Sequence, residues 1–242
     1  MSGEPAELDA GLDEAMLDQT IGEVYHGYRG PQQPASRAFR PPISVAVNRQ
    51  TGSRGRAVAQ RAAELLGFAF FGPEALDFAS QDPAGSNSGY EFDSRAVEWV
   101  ERRMADLHRD SPLATHAEMH GLVQLMVELG AIGGNVLMGK GCVLALPAES
   151  TVRVRLIAPE ADRIAYVAQW ERFTAVAAQS HIREREQSRR NFHLEKFGVD
   201  PDPEWHYDMV LNTSEMGVEA CAQLIVAAVK LKNDPPAEGE AP

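Results

Sequence analysis

The chain is poor in the residues that oxidative or metal chemistry needs. It has two cysteines, Cys142 and Cys221, both in apolar surroundings, and no C-x-x-C or Cys/His metal spacing. Each is expected to be a buried, reduced thiol. No apolar run approaches the ~20 residues of a bilayer span, so no membrane partner is expected. Positive charge is also scarce: 23 Lys and Arg face 35 Asp and Glu, a formal charge of −12 at pH 7. The deficit sits at the ends. Residues 1–30 hold Glu4, Glu7, Asp9, Asp13, Glu14, Asp18 and Glu23 against Arg29, and residues 233–242 add Asp234, Glu238 and Glu240. These tails carry −6 and −3, which leaves −3 for the middle. A nearly neutral body excludes non-specific binding to nucleic acid. The acidic N-terminus has neither the basic start nor the apolar stretch of a signal peptide, and a cytoplasmic location is expected.

What is present fits one large domain or two small ones. The 242 residues are 44% hydrophobic, enough for a full core. Residues 1–42 read as an acidic extension and Pro-rich linker. Leu17, Ile21, Val24, Tyr25 and Tyr28 are spaced as one helix face, which could dock on the body, a protein partner or a second copy. Residues 43–232 read as the folded domain, and 233–242 as a disordered acidic tail.

Within the domain, strands are expected at Ile43–Asn48, Phe68–Phe71, Asn135–Met138, Val152–Ala158 and Met209–Asn212. Helices are expected at Gly55–Leu66 (ending at Gly67), Ser94–His108, Pro159 to about Arg172, Thr174–Phe197 and Glu215–Lys232. Ser111–Pro112 reads as a cap and first-turn proline, and Thr115–Glu118 as a capping box opening a helix to about Gly130. The order β-α-β-α-α-α-β-β-α-α-β-α argues for an α/β fold with a mostly parallel sheet covered on both faces. Ligands of such sheets bind beyond the carboxyl ends of the strands. Asn48–Gly55, Gly139–Gly141 and Asn212–Ser214 all fall at such ends.

The first of these is the most telling. "VAVNRQTGSRGRAVAQRAAELLG" (45–67) runs from an apolar strand through a Gly-rich turn into a helix. Backbone amides at such a turn, together with a helix N-terminus, cradle phosphate. Yet G-x-x-x-x-G-K-[ST] is not matched: Gly55 falls about where the lysine belongs, with Arg56 beside it. A tight turn without phosphate remains open on these residues alone.

"ISVAVNRQTGSRGRAVAQRAAELLGFAFF" resembles the opening strand, turn and helix of the cytidylate kinase-like family. "GNVLMGKGCVLAL" (134–146), "RVRLIAPEADRIAYV" (153–167) and "WHYDMVLNTSEMGVEACAQLI" (205–225) resemble later stretches of that family in the same order. The resemblance implies a three-layer α/β/α P-loop NTPase-like fold. It implies transfer of a phosphoryl group from ATP, with Mg²⁺, to a nucleoside monophosphate. It also implies roles. Arg49, Gly52, Ser53, Arg54, Gly55 and Arg56 would bind phosphate, with Arg54 in place of a usual glycine. Lys140 stands where the family has a monophosphate-binding arginine, which keeps charge but loses the bidentate fork. "IREREQSRRNF" (182–192) resembles the mobile lid, with Glu186 replacing an aspartate. Arg183 and Arg190 would contact substrate, and Arg56, Arg185 and Arg189 would stabilise transferred charge.

Two departures leave a catalytically inactive nucleotide- or partner-binding relative open as the alternative. Gly72 and Met138 stand where the family carries acidic residues, so no metal ligand is assigned. His116 and His120 have i, i+4 spacing but are expected to be ordinary helix histidines. Trp205, His206, Tyr207 and Asp208 are expected to serve packing and turn formation before the last strand.

Overall fold

A computed structural model describes residues 39–81 and 93–234. The N-terminal helix, most of the linker, most of the 80–93 loop and the C-terminal tail lie outside the described residues. Five strands form one sheet in the order β2-β3-β1-β4-β5 and all pairings are parallel: β1 Ser44–Arg49, β2 Ala69–Phe71, β3 Asn135–Met138, β4 Thr151–Ile157 and β5 Met209–Asn212. The helices are α1 Gly55–Leu66, α2 Pro73–Gln81, α3 Ser94–Asp110, α4 His120–Ile132, α5 Cys142–Ala145, α6 Glu160–Trp170, α7 Ala175–Phe197 and α8 Thr213–Asn233. No described helix is long and apolar enough to cross a membrane.

Strand β1 is central because it is apolar on both faces, as a parallel strand covered on two sides must be. Val45 and Val47 pack with Val136, Met138, Val152 and Val154 beneath α1 and α8. Ala46 and Leu137 point the other way, into the core made by α2, α3, α4 and α5. Each fully buried Val or Leu contributes ~1.5–3 kcal/mol, so a one-residue slip of β1 would exchange two cores and is ruled out by energy. The result is a three-layer α/β/α arrangement around a parallel sheet, as the sequence implied.

Helix α1 forms because Val58, Ala59, Ala62 and Ala63 make one buried stripe. It ends at Gly67, φ +68, where the Phe68 amide donates to the Ala63 carbonyl at 2.9 Å. Four details differ from the sequence expectation. Helix α2 was not anticipated, although Pro73 at its first position and Glu74 in its first turn are helix-start signals. Helix α5 interrupts what read as β3 followed directly by β4. The capping box at Thr115 does not form. Its hydroxyl donates to the Pro112 carbonyl inside a 3-10 turn (Pro112–Thr115), and α4 starts only at His120. A capping residue must leave the helix in extended backbone, and here the chain is already turning. Helix α8 starts two residues earlier than expected, at Thr213, and breaks at Gly217 (φ 73, ψ 173).

Candidate phosphate-binding turn

Residues 49–56 lie at the junction of β1 and α1, hydrogen-bonded to the carboxyl ends of β4 and β5, with the end of β3 bonded to β1 just before them. The Gln50 amide donates to Leu156 O at 2.9 Å, and Gln50 Oε1 accepts from the Ala158 amide at 3.1 Å. The Gly139 amide donates to Val47 O at 3.0 Å, and the Thr213 hydroxyl to Ser53 O at 2.7 Å. The three segments that the sequence placed at strand ends therefore do converge.

Inside the turn the roles divide. Gly52 has φ +82, and a Cβ there would lie 2.7 Å from the Arg163 carbonyl oxygen, so only glycine fits. Ser53 is buried and spent on the turn: its hydroxyl and its amide both donate to Gln50 O, at 2.8 and 3.3 Å. Arg54 is left-handed (φ 56) and exposed, and its guanidinium lies 5.5 Å from the centre of the Tyr166 ring. Its side chain lies over Tyr166 of α6, out of the loop. Arg56 pairs with Glu74 at 2.9 Å. Burial disfavours the Glu74 charge, but hydrogen bonding, above all to Arg56, outweighs it and holds that carboxyl below its ordinary range. The first turn of α1 has no side-chain cap and no acid. Among the described residues the amides of Gly52, Arg54 and Gly55 meet no protein acceptor. An N-terminus left this way is a partial positive charge.

Helices α6 and α7 close the other side. Arg163, buried, reaches Glu186 Oε1 at 2.6 Å and Thr51 O at 3.5 Å. Glu186 Oε1 also accepts the Thr51 amide at 3.2 Å. Arg189 donates to Arg49 O at 3.0 Å and to the Thr51 hydroxyl. Burial, then the nearby Arg49 charge, pushes the Arg189 guanidinium down to about 10.

The other sequence candidates scatter. Lys140, left-handed at φ 53, pairs with Asp77 of α2 at 2.5 Å. Arg185 is exposed, one helical turn before Arg189. Arg190 is committed to Asp200 at 2.6 Å, and Arg183 is exposed; neither reaches the turn in this arrangement. Met138 is fully buried in the core under α1. Away from the turn, His116 Nδ1 faces Glu118 and Lys196, at 3.2 and 3.1 Å. Tyr207 and Asp208 do structural work. The Tyr207 hydroxyl donates to Pro201 O and accepts from Asn48 Nδ2, each at 2.6 Å, and Asp208 bridges Arg153 and Lys232. Trp205 does not pack: it is 75% exposed. Cys142 is buried, which pushes its thiol up to about 12 and leaves it inert.

The cytidylate kinase-like family matches residues 44–215. The chain belongs to that family. No curated protein matches it. Among solved structures, an uncharacterized protein from Eubacterium ventriosum superposes with a TM-score of 0.62 at 15% identity, covering 78% of this chain and 98% of that one. TT1252 from Thermus thermophilus gives 0.43 at 18% identity, covering 78% and 98%. A shikimate kinase from Acinetobacter baumannii in complex with shikimate gives 0.38 at 16%, covering 84% and 100%. At these identities the first likeness speaks for the fold, and membership of the family supports a nucleotide-kinase-like function.

For a cytidylate kinase-like chain, the donors at the turn fit an anionic phosphate chain: three amides, a helix N-terminus and the guanidinium groups of Arg49, Arg56 and Arg189. Metal ligands are thinner. Among the described residues no three His, Cys, Asp or Glu side chains stand close enough to hold an ion. Glu74, Asp77 and Glu186 are each ion-paired. Mg²⁺ needs only one or two carboxylates when phosphates supply its other ligands, and Glu74 and Glu186 are the acids beside the turn that could serve. Sequence reasoning missed Arg163, Glu74 and Asp77. Arg163 stood in the quoted 153–167 stretch, and the two acids stand on the unanticipated helix α2.

Proposed function

We propose that the chain is a nucleotide-dependent phosphotransferase of the nucleoside monophosphate kinase type. ATP would lay its phosphates on the 49–56 turn, and the acceptor would lie near Lys140 and α4. The reading is supported by one observation: the amides of Gly52, Arg54 and Gly55 at the strand-to-helix turn meet no protein acceptor among the described residues, and Arg49, Arg56 and Arg189 flank the same turn. In transfer, an acceptor oxygen bonds to the γ-phosphorus as the bond from that phosphorus to the β–γ bridging oxygen breaks, and ADP leaves. Charge accumulates on the γ-oxygens, where Arg56 and Arg189 could stabilise it, with Arg185 next along the helix. Arg183 and Arg190 would bind substrate after α7 shifts. When bound, Mg²⁺ would share that neutralisation.

The second reading is a binding relative that does not turn over. It is favoured by Gly55 at the lysine position and Met138 sealed in the core. One experiment separates the two. Thermal shift with ATP should stabilise the protein, by about 2.7 kcal/mol at a hundredfold excess over the dissociation constant. A coupled assay with ATP, Mg²⁺ and a panel of nucleoside monophosphates should then show ADP release. Stabilisation without ADP release at high protein concentration leaves a nucleotide-binding relative, and no stabilisation by ATP, ADP, CMP or phosphate refutes any nucleotide pocket and leaves only a partner-binding relative.

A further inference from the structure

We propose that Arg49 replaces the missing loop lysine, reaching bound phosphate from the strand side of the turn across the face that Gly55 leaves bare. The inference rests on the nucleotide-binding reading above and assigns the cation within it.

Gly55 is the key. It is the first residue of α1, and its φ is not left-handed, so the backbone does not require glycine there. Packing does. A Cβ on Gly55 would lie 2.7 Å from Arg49 Cβ, 3.0 Å from Cδ and 3.2 Å from Cγ. The aliphatic stem of Arg49 therefore lies flat against the position that should carry the lysine. Its far end lies beside the turn that leaves β3, where a Cβ on Gly139 would be 3.4 Å from Arg49 Nη1. The side chain thus crosses from the end of β1, past the N-terminus of α1, to the end of β3. A lysine at position 55 and an arginine at position 49 compete for one channel, and this chain keeps the arginine.

The charges around Arg49 agree with that course. It helps to hold the Glu74 carboxyl down and it opposes the charge on Arg189. An arginine in this place also offers a planar fork to two phosphate oxygens, which a lysine cannot.

The test exchanges the two positions in the full-length protein and reads ATP binding by titration calorimetry. Arg49→Ala should weaken ATP binding ~10- to 100-fold, the usual effect of losing a hydrogen bond to a charged partner. Arg49→Lys should lose less. Gly55→Lys alone should also weaken binding, because its stem meets Arg49, whereas Arg49→Ala with Gly55→Lys should recover most of the affinity. A purely structural role for Arg49 predicts no such recovery. If Arg49→Ala binds ATP as tightly as the wild type, or Gly55→Lys alone binds more tightly, the assignment of Arg49 is overturned while the nucleotide reading stands. If the wild type itself binds no ATP, both fall.

Discussion

Gly52 and Gly67 are both left-handed, but only Gly52 is hemmed in. A Cβ at Gly52 meets the Arg163 carbonyl at 2.7 Å, whereas nothing lies within 4 Å of one at Gly67. Gly67→Ala should therefore cost only the backbone preference, about 1 kcal/mol. Gly52→Ala must also push α6 away and should cost on the order of 2–3 kcal/mol. Urea denaturation of the two variants checks the difference, and equal midpoints would refute it. At this scale the sequence was informative about residue type and silent about direction. Glycines and arginines at the turn could be read directly. That Ser53 spends its hydroxyl on Gln50, or that Arg54 lies over Tyr166, depends on φ values and on a helix over a hundred residues away in the chain.

Among the elements, α7 has the most to say about function. Its Glu186 joins Arg163 to the Thr51 amide and so fixes the helix to the 49–56 turn. Glu186→Gln keeps an acceptor for the amide but leaves the Arg163 charge without its partner. Removing one member of a fully buried pair costs about 3–5 kcal/mol. With the Glu186 side chain 34% exposed, solvent screens the loss and about 1–2 kcal/mol is expected. Hydrogen exchange should also quicken at the Thr51 amide, and unchanged exchange there would show that Glu186 does not hold the helix down. Elements with a strong apolar character or period were legible: all five strands, α1, α3 and α6; the very polar α7 was legible only as a helix-forming run between the Thr174 cap and Gly198. Helix α2 was not, because its nine residues adjoin a stretch dense in turn formers, and with it went Glu74 and Asp77. The Thr115 motif misled because the same letters serve a 3-10 turn.

For the whole molecule, acid should act in two stages. His193 Nδ1 donates to the Arg189 carbonyl at 2.7 Å, a bond that favours the charged ring, but burial outweighs it and lowers the pKa below the ordinary 6.5. A depressed group binds its proton more readily when unfolded, so its contribution is present above pH 6.5 and lost as pH falls through the folded value. Glu74 and Asp208 are also depressed, from 4.5 and 3.8, and their contributions disappear only below that carboxylate range. Thermal midpoints measured from pH 8 to pH 3 should fall in two steps, and His193→Gln, which can still donate to Arg189, should abolish the first alone. A first step that survives the substitution would exclude His193 as its source. The layered α/β plan was legible because alternating elements leave few arrangements. The strand order was not, since it is set by which apolar faces meet across long separations.

That order has a cost during synthesis. Val45 pairs with Val136 on one side and Val152 on the other, so the innermost strand is made first and flanked last. For about a hundred residues of translation, a nascent chain carries an apolar ribbon with both edges bare. Non-local pairing of this kind folds slowly and exposes sticky surface meanwhile. Chaperone shelter therefore matters most before the ribosome passes Ile157.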